Sequence, residues 1–461
     1  MNAPVEPVPQ RLTLVLPSTG AFDSRTFRIA SGLTARGHSV TVVARRGPDL
    51  PNEERHPTGY AIVRVAWDPV DGLPGPLRPV ARALAGGRAR TSARAAPTMS
   101  SAPATDSPAA VAGTAPGRGR LGPGRRLLRA ASRAWASVVR LAAIGLTVRS
   151  QGSATLRVAP TSDLVHAMAY MGIPAGLRLG RRDRAPVVYD ARDIYIAAQN
   201  IARLPGPLRG VFARLERGWA RAADRVMTVN VPYGEVMASR WEVPVPAVVL
   251  NCSYRQTPPA IPPRKFHDLL GLDPSVRVVL YQGGFSPDRG IEQLLEAVPS
   301  VEGAVLALLG YGGLEAEIRR RIATAGLADR VHIVPAVPPD ELLGWVASAD
   351  VVAMPIQPSN LNHRLTTPNK LFEAMAVGVP VVASDLPGMA TIVQETGCGV
   401  VCDPTDPAAI AAAVRSVLDA TPEARAAIRD RALVAAQHTY CWEAQLGVLI
   451  DEYSRLTGRP W

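Results

Sequence analysis

The sequence predicts an α/β protein built from two parallel-sheet domains. Short apolar runs alternate with amphipathic helical stretches over most of the 461 residues. A chain of this length exceeds one ordinary domain and suits two or three. A Pro/Arg-rich stretch, "RQTPPAIPPRK", separates two such alternating series and reads as a linker. The expected division is 1–258 for the first domain, 259–439 for the second, and a C-terminal helix within 440–461 that packs back toward the first.

In the first domain "RLTLVLPSTG" is an apolar strand ending in a small-residue loop. "FDSRTFRIASGLTARG" is a helix with Phe27, Ala30, Leu33 and Thr34 on one side and Gly37 as its stop. "HSVTVVARR" is the next strand, and "DLVHAM", "APVVYDARD" and "DRVMTVN" supply three more, with helices between them. In a parallel sheet of this kind, ligands sit at the carboxyl ends of the strands. Chemistry is therefore expected at Ser18 to Asp23, His166 to Tyr170, Asp190 to Asp193 and Asn230.

The second domain begins near residue 275. "VRVVLYQGG", "GAVLALLGYGG", "RVHIVPA", "DVVAMPI" and "VPVVASD" are strands. "GIEQLLEAV", "LEAEIRRRIATAG", "PDELLGWVASA" and "NKLFEAMAVG" are the helices between and around them. Two such domains leave a cleft between them, a usual place for a ligand.

Composition narrows the partners. Of the 51 basic residues only Lys265 and Lys370 are lysines. Residues 78–157 hold 14 arginines and one acid, Asp106, a local charge of +13 against +12 for the whole chain. The rest is nearly neutral, which argues against a nucleic-acid partner, since that needs basic residues on a folded face. The four cysteines, Cys252, Cys398, Cys402 and Cys441, have no metal-ligand spacing and are too few for a disulfide framework. "MNAPVEPVPQ" has no basic or apolar region of a signal peptide, and no uncharged apolar run approaches membrane-spanning length. The expected location is the cytoplasm, either free or peripheral on the inner face of the plasma membrane.

The basic segment, an insertion at about 78–157, divides in two. From Leu84 to Gly124 it lacks large apolar residues and is expected to be disordered. From Arg125 to Ser150 the pattern is helical. Arg126, Arg129, Arg133 and Arg140 share an arc of roughly 60°. Leu128, Ala131, Trp135, Val138, Val139, Ala142 and Leu146 lie opposite. Such a helix either packs on the protein with its arginines outward or lies on an anionic membrane surface. The second alternative predicts co-sedimentation with anionic vesicles that weakens with salt and is abolished by changing the four arginines to glutamine. Equal sedimentation with neutral and anionic vesicles would refute it.

The motifs of the second half occur in a specific order: "YQGGFSPDRGIEQLLEAV", "LLGYGG", "VHIVPAVPPDELLGWVASADVVAMPI" and "PNKLFEAMAVGVPVVASDLPG". With "DSRTFRIASGLTARGHSVTVVA" and "VVYDARD" in the first half, they resemble a GT-B-fold glycosyltransferase of family 4, a broad group of nucleotide-sugar transferases. The resemblance covers nearly everything outside residues 70–155. It implies two Rossmann-like domains facing a cleft, with the acceptor on the first and the donor on the second.

The residues are suited to a diphosphate-bearing donor. Gly283 and Gly284 let backbone approach the phosphates, and the helix opening at Gly290 offers free amides. Arg289 adds a fixed positive charge. Lys370 lies one turn before Glu373 on the same face. A cation is required where negative charge grows as the sugar–phosphate bond breaks, and Lys370 meets that need while Glu373 accepts from the ribose. Both Lys370 and Arg289 are expected to face solvent. By resemblance Gly310, Tyr311, Val337 and Leu371 also belong to the donor side. His166 matches a family histidine near the acceptor, and Asp23, Arg25, Asp190, Arg192 and Asp193 are acceptor-side candidates.

The sequence departs from the family pattern at three points. The position eight before Glu373 is Leu365, where the family carries an acid that contacts the donor sugar. "NHRLTTPNK" replaces it, so Asn362, Thr366, Thr367 and Asn369 are expected to supply those contacts. Gly284 stands where the family often has arginine, and "PSTGAFD" lacks a Gly-Gly pair.

The resemblance implies a retaining transferase that moves a sugar from a nucleoside diphosphate to a glycan or lipid-linked acceptor of the cell envelope. No metal or other cofactor is expected, because there is no DxD motif in a suitable loop and Arg and Lys neutralise the diphosphate. The alternatives are a nucleotide-sugar 2-epimerase or hydrolase on the same fold, or a non-catalytic sugar-nucleotide-binding subunit. The missing acid favours the last of these.

Overall fold

A computed structural model of the chain describes residues 9–21, 23–67, 73, 142, 145–258 and 261–461. It has two compact units. The first comprises Met1–Thr228, Gly234–Ala247 and Leu449–Trp461; the second comprises Val229–Tyr233 and Val248–Val448.

The first unit is built on an eight-stranded sheet. Its strands are β1 (Arg11–Val15), β2 (Ser39–Arg45), β3 (Glu53–Arg55), β4 (Ala61–Val65), β5 (Leu164–Met168), β6 (Val187–Ala191), β7 (Arg225–Thr228) and β8 (Ala247–Val248). They run in the order β3-β4-β2-β1-β5-β6-β7-β8. The short edge strand β3 is antiparallel to β4, against the expectation of an all-parallel sheet. β1, β2, β4, β5, β6 and β7 pair in parallel. Every residue of β5 and β6 is buried, as a sheet covered on both faces requires.

The second unit has a six-stranded, wholly parallel sheet in the order β11-β10-β9-β12-β13-β14. The strands are β9 (Arg277–Gly284), β10 (Ala304–Tyr311), β11 (Val331–Val334), β12 (Val351–Met354), β13 (Val381–Ser384) and β14 (Gly399–Cys402). The pleat sorts β9 cleanly: Val278 and Leu280 enter one apolar cluster, Val279 and Tyr281 the other. Burying both faces this way is the main stabilising term of such a unit.

Strand order fixes where ligands go. In the first unit the order turns at β1 and β5, and in the second at β9 and β12. Crossover connections diverge at these points and leave a crevice at the carboxyl ends. The site residues lie in the loops there.

Of the expected helix from 125 to 150, residues 125–141, 143 and 144 fall outside the described residues, as does the stretch 84–124. Residues 145–158 are helical, with Ser150, Gln151, Ala154 and Thr155 buried. The charge-based end of the insertion at 157 therefore runs past the start of packed structure. Exposed Arg149 and Arg157 kept the stretch basic while its other face joined the core. Among the described residues no helix is long and apolar enough to cross a membrane.

Candidate functional site

In the second unit the site is built from the ends of β9, β10 and β12. β9 ends in Gly283 and Gly284, in register with Gly310 and Tyr311 of β10. The two loops are tied by the Phe285 amide, which donates to the Tyr311 carbonyl at 2.8 Å. Gly310 has φ +153°, and a Cβ there would collide with the Gly283 carbonyl oxygen. The Tyr311 side chain is half exposed. Gly290, at φ +81°, starts the helix Ile291–Ala297 and passes so close to the Pro355 carbonyl that no side chain fits. A glycine is thus required where the β9 loop crosses the β12 loop.

Lys370 lies in the helix Asn369–Val377. It does not project into solvent as expected. It is half-buried, with Nζ 4.0 Å from the centre of the Tyr281 ring. A Cβ on Gly283 would lie 3.6 Å from that Nζ, so the ammonium sits directly over the glycine turn. Burial, and then the nearby Arg289 charge, depress the Lys370 pKa to about 7 against the opposing pull of Glu373. Arg289 is partly exposed and donates to Ser286 Oγ at 3.4 Å. Glu373 accepts a 2.6 Å hydrogen bond from the Gln282 amide. The structure therefore gathers Gly283, Gly284, Arg289, Lys370 and Glu373 around one strand end. Tyr281 and Gln282, which the sequence reading passed over, support Lys370 and Glu373. Their signal was present in "YQGG", immediately before the glycines.

The remaining donor-side candidates separate. Asn362 lies in the short helix Leu361–Leu365, with Thr366 at its C-cap. Asn369 is exposed and accepts from the Asn251 amide at 3.0 Å. Thr367 Oγ1 donates to the Gly388 carbonyl at 2.6 Å, which makes its hydroxyl a tie within the fold. Leu371 is fully buried in the apolar cluster and presents no side chain to a ligand. Val337, after edge strand β11, packs its side chain on the same cluster.

In the first unit Asp23 caps the helix Ser24–Thr34 by accepting from the Thr26 amide. Arg192 Nη1 donates to both Asp23 oxygens, at 2.9 and 3.0 Å. Burial pushes the Asp23 pKa up, but the Arg192 charge and the cap amide outweigh it and hold it below the usual range. Asp193, next along, is exposed.

His166, Arg25 and Asp190 are placed differently from expectation. All three are essentially inaccessible, at 0, 1 and 0% exposure. Arg25 donates to Asp190 at 2.6 and 3.1 Å. His166 Nε2 meets Asp190 Oδ2 at 3.1 Å, and its Nδ1 meets the Tyr453 hydroxyl at 2.7 Å. Burial raises the Asp190 pKa, yet Arg25 and His166 override it and hold the carboxyl ionised. Burial lowers the His166 pKa despite Asp190, so the ring is neutral. An ionised Asp190 only accepts, so Nε2 carries the proton and Nδ1 accepts from Tyr453. Tyr453 belongs to the helix Trp442–Thr457, and nothing in the local sequence signals this link.

The family described as "Glycosyl transferases group 1" matches residues 276–420, which contain every donor-side loop above. A D-inositol 3-phosphate glycosyltransferase from Segniliparus rotundus is 34% identical over 192 residues, covering 40% of this chain and 41% of that protein. One from Xylanimonas cellulosilytica is 27% identical over 313 residues, covering 64% and 73%. Among solved structures, sucrose-phosphate synthase from Thermosynechococcus elongatus superposes with a TM-score of 0.68 at 19% identity, covering 97% of this chain and 99% of that one. The parallel sheets and the solved structure agree on a GT-B fold, residues 276–420 match the group 1 glycosyl transferases, and the chain spans less than half the length of the first of these relatives.

Proposed function

We propose that the chain is a retaining transferase that takes a sugar from a nucleoside diphosphate and places it on a hydroxyl of a glycan or lipid-linked precursor of the cell envelope. The observation that carries this reading is the Lys370 ammonium held over the Gly283 turn beside Arg289. The two cations and the backbone amides receive the diphosphate, with no metal on this reading. As the anomeric bond breaks and the acceptor oxygen bonds to the anomeric carbon, charge grows on the leaving phosphate, which takes the acceptor proton, and fixed cations in a partly dry site stabilise it without reorganisation. Glu373, held by Gln282, accepts from the ribose hydroxyls. Asp23, Arg192 and Asp193, at the strand ends of the first unit, supply the acceptor side. The names of the inositol-phosphate relatives support a polar, phosphate-bearing acceptor.

The test is mass spectrometry of products from a panel of UDP- and GDP-sugars, with a membrane lipid extract as acceptor source. Transfer to a lipid-extract component with retained configuration is expected. Sugar release without any glycosylated product would replace this reading with the hydrolase or epimerase alternative.

Lys370 also sets a pH dependence. Its folded pKa, about 7, lies below the usual 10.5 of lysine. The free site therefore loses this charge as pH rises through neutrality. An anionic diphosphate favours the charged form, so binding takes up a proton above pH 7. The affinity for UDP or GDP is expected to fall between pH 6 and 9. Calorimetry in buffers of different ionisation heat reads the uptake, and a Lys370→Met variant should abolish it. PH-independent binding by the unaltered chain would count against Lys370 as the phosphate partner.

A further inference from the structure

Residues 229–233 match none of the motifs, yet they cluster with the second unit. Asn230 is 2% exposed. Its Nδ2 donates to the Leu365 carbonyl at 2.8 Å and to Thr367 Oγ1 at 3.2 Å. Its Oδ1 accepts from the Tyr233 amide at 2.8 Å. Tyr233, 3% exposed, donates its hydroxyl to the Asn362 carbonyl at 3.0 Å. Thr367 is anchored in turn on the Gly388 carbonyl. A Cβ on Gly388 would collide with the Leu365 and Thr366 carbonyl oxygens, so glycine lets the loop lie flat on the following helix. The backbone of 362–367 is thus pinned at Asn362, Leu365 and Thr367. The Thr366 hydroxyl makes no hydrogen bond among the described residues and is half exposed.

The pinned carbonyl belongs to Leu365, the position eight before Glu373. An acid at that position would hold a sugar through charge-assisted hydrogen bonds, which are roughly twice as strong as neutral ones. A neutral loop has only hydroxyl and carbonyl groups. Their weaker bonds discriminate between sugars only when the groups stand within a few tenths of an ångström of their place. The clamp from Asn230 and Tyr233 provides that fixity. We propose that Asn230 is a positioning residue that holds the 362–367 loop and thereby determines which sugar the donor site accepts. The proposal rests on the nucleotide-sugar reading given above.

Two variants separate positioning from folding. Asn230→Asp keeps the acceptor that caps the Tyr233 amide but loses both donations to the loop. Tyr233→Phe removes only the bond to the Asn362 carbonyl. Each is assayed with nucleotide sugars that share a base and differ in the sugar: UDP-glucose, UDP-galactose and UDP-N-acetylglucosamine, or GDP-mannose, GDP-glucose and GDP-fucose. The inhibition constants of UDP and GDP and the thermal midpoint are measured alongside. In Asn230→Asp the ratio of kcat/KM between the preferred sugar and the next is expected to shrink about tenfold or more. Nucleoside diphosphate inhibition should stay within about twofold, because the base and phosphate contacts lie on other loops. Tyr233→Phe should shift the ratio in the same direction by less. An unchanged ratio in both variants, with or without a fall in the thermal midpoint, overturns the proposal. So does weakening of UDP or GDP in step with the loss of turnover. If the unaltered chain transfers from none of these sugars, the proposed function fails and this inference with it. If it transfers and discrimination is unmoved, only the inference fails.

Discussion

Lys370→Ala and Arg289→Ala are each expected to lower kcat by about 10²-fold or more, the usual loss when one electrostatic partner of a transition state is removed. On the proposed function the two cations act on the same leaving group, so the double variant should fall short of the product of the single losses. Neither change should unfold the protein. Lys370 is held where burial and Arg289 disfavour its charge, so its removal relieves a repulsion near neutral pH. Unfolding-state lysine stays protonated up to its ordinary pKa, while the folded group releases its proton near 7. The contribution of this group to stability therefore becomes more favourable as pH rises across that window. In Lys370→Met this part of the pH dependence should vanish, and the thermal midpoint at pH 7 should not drop. Near wild-type turnover in both alanine variants would remove the leaving-group assignment, and a collapse of the thermal midpoint would make Lys370 a folding residue.

Asp190→Ala is expected to cost about 3–5 kcal/mol of unfolding free energy, the typical result of deleting one member of a buried ion pair. Asp190 is the acceptor for both the Arg25 guanidinium and the His166 ring. Without it the buried cation loses this counter-charge and the imidazole loses the group that fixes its tautomer. Urea unfolding, with Asp190→Asn as the shape-preserving control, measures the loss. A paired replacement, Arg25→Met with Asp190→Leu, should recover much of it, because it removes both charges together. If Asp190→Ala costs less than about 1 kcal/mol, the network is not a folding element. Tyr453→Phe should cost less than Asp190→Ala, since only one neutral hydrogen bond to His166 Nδ1 is lost.

The clustering of Gly283, Gly284, Arg289, Lys370 and Glu373 was legible because it is local. "YQGG", "GYGG" and "PNKLFEA" each carry their own geometry: a strand that ends in glycine, or a lysine and a glutamate one helical turn apart. A parallel sheet then brings the ends of β9, β10 and β12 together by its topology alone. The burial of three acceptor-side candidates was not legible, for the converse reason. His166, Arg25 and Asp190 sit at strand ends and helix starts, where exposed chemistry is expected, yet each is turned inward by a partner distant in the chain. Tyr453, 287 residues from His166, decides the histidine's role. Thr367 and Leu371 are engaged within the fold in the same way, one tied to Gly388 and the other folded into the core.

By itself, the sequence determined the two alternating α/β series, the strand ends that carry Gly283, Gly284 and Gly310, and the placement of a lysine and an arginine beside them. These follow from period, turn chemistry and spacing, which act over a few residues. Only the tertiary structure decided which charged groups are buried in pairs and which remain available. It also decided that Lys370 rests on Tyr281 and that Asn230 pins the loop where an acid would have stood. Burial and hydrogen-bond partnership depend on contacts between residues far apart in the chain, and no local pattern encodes them.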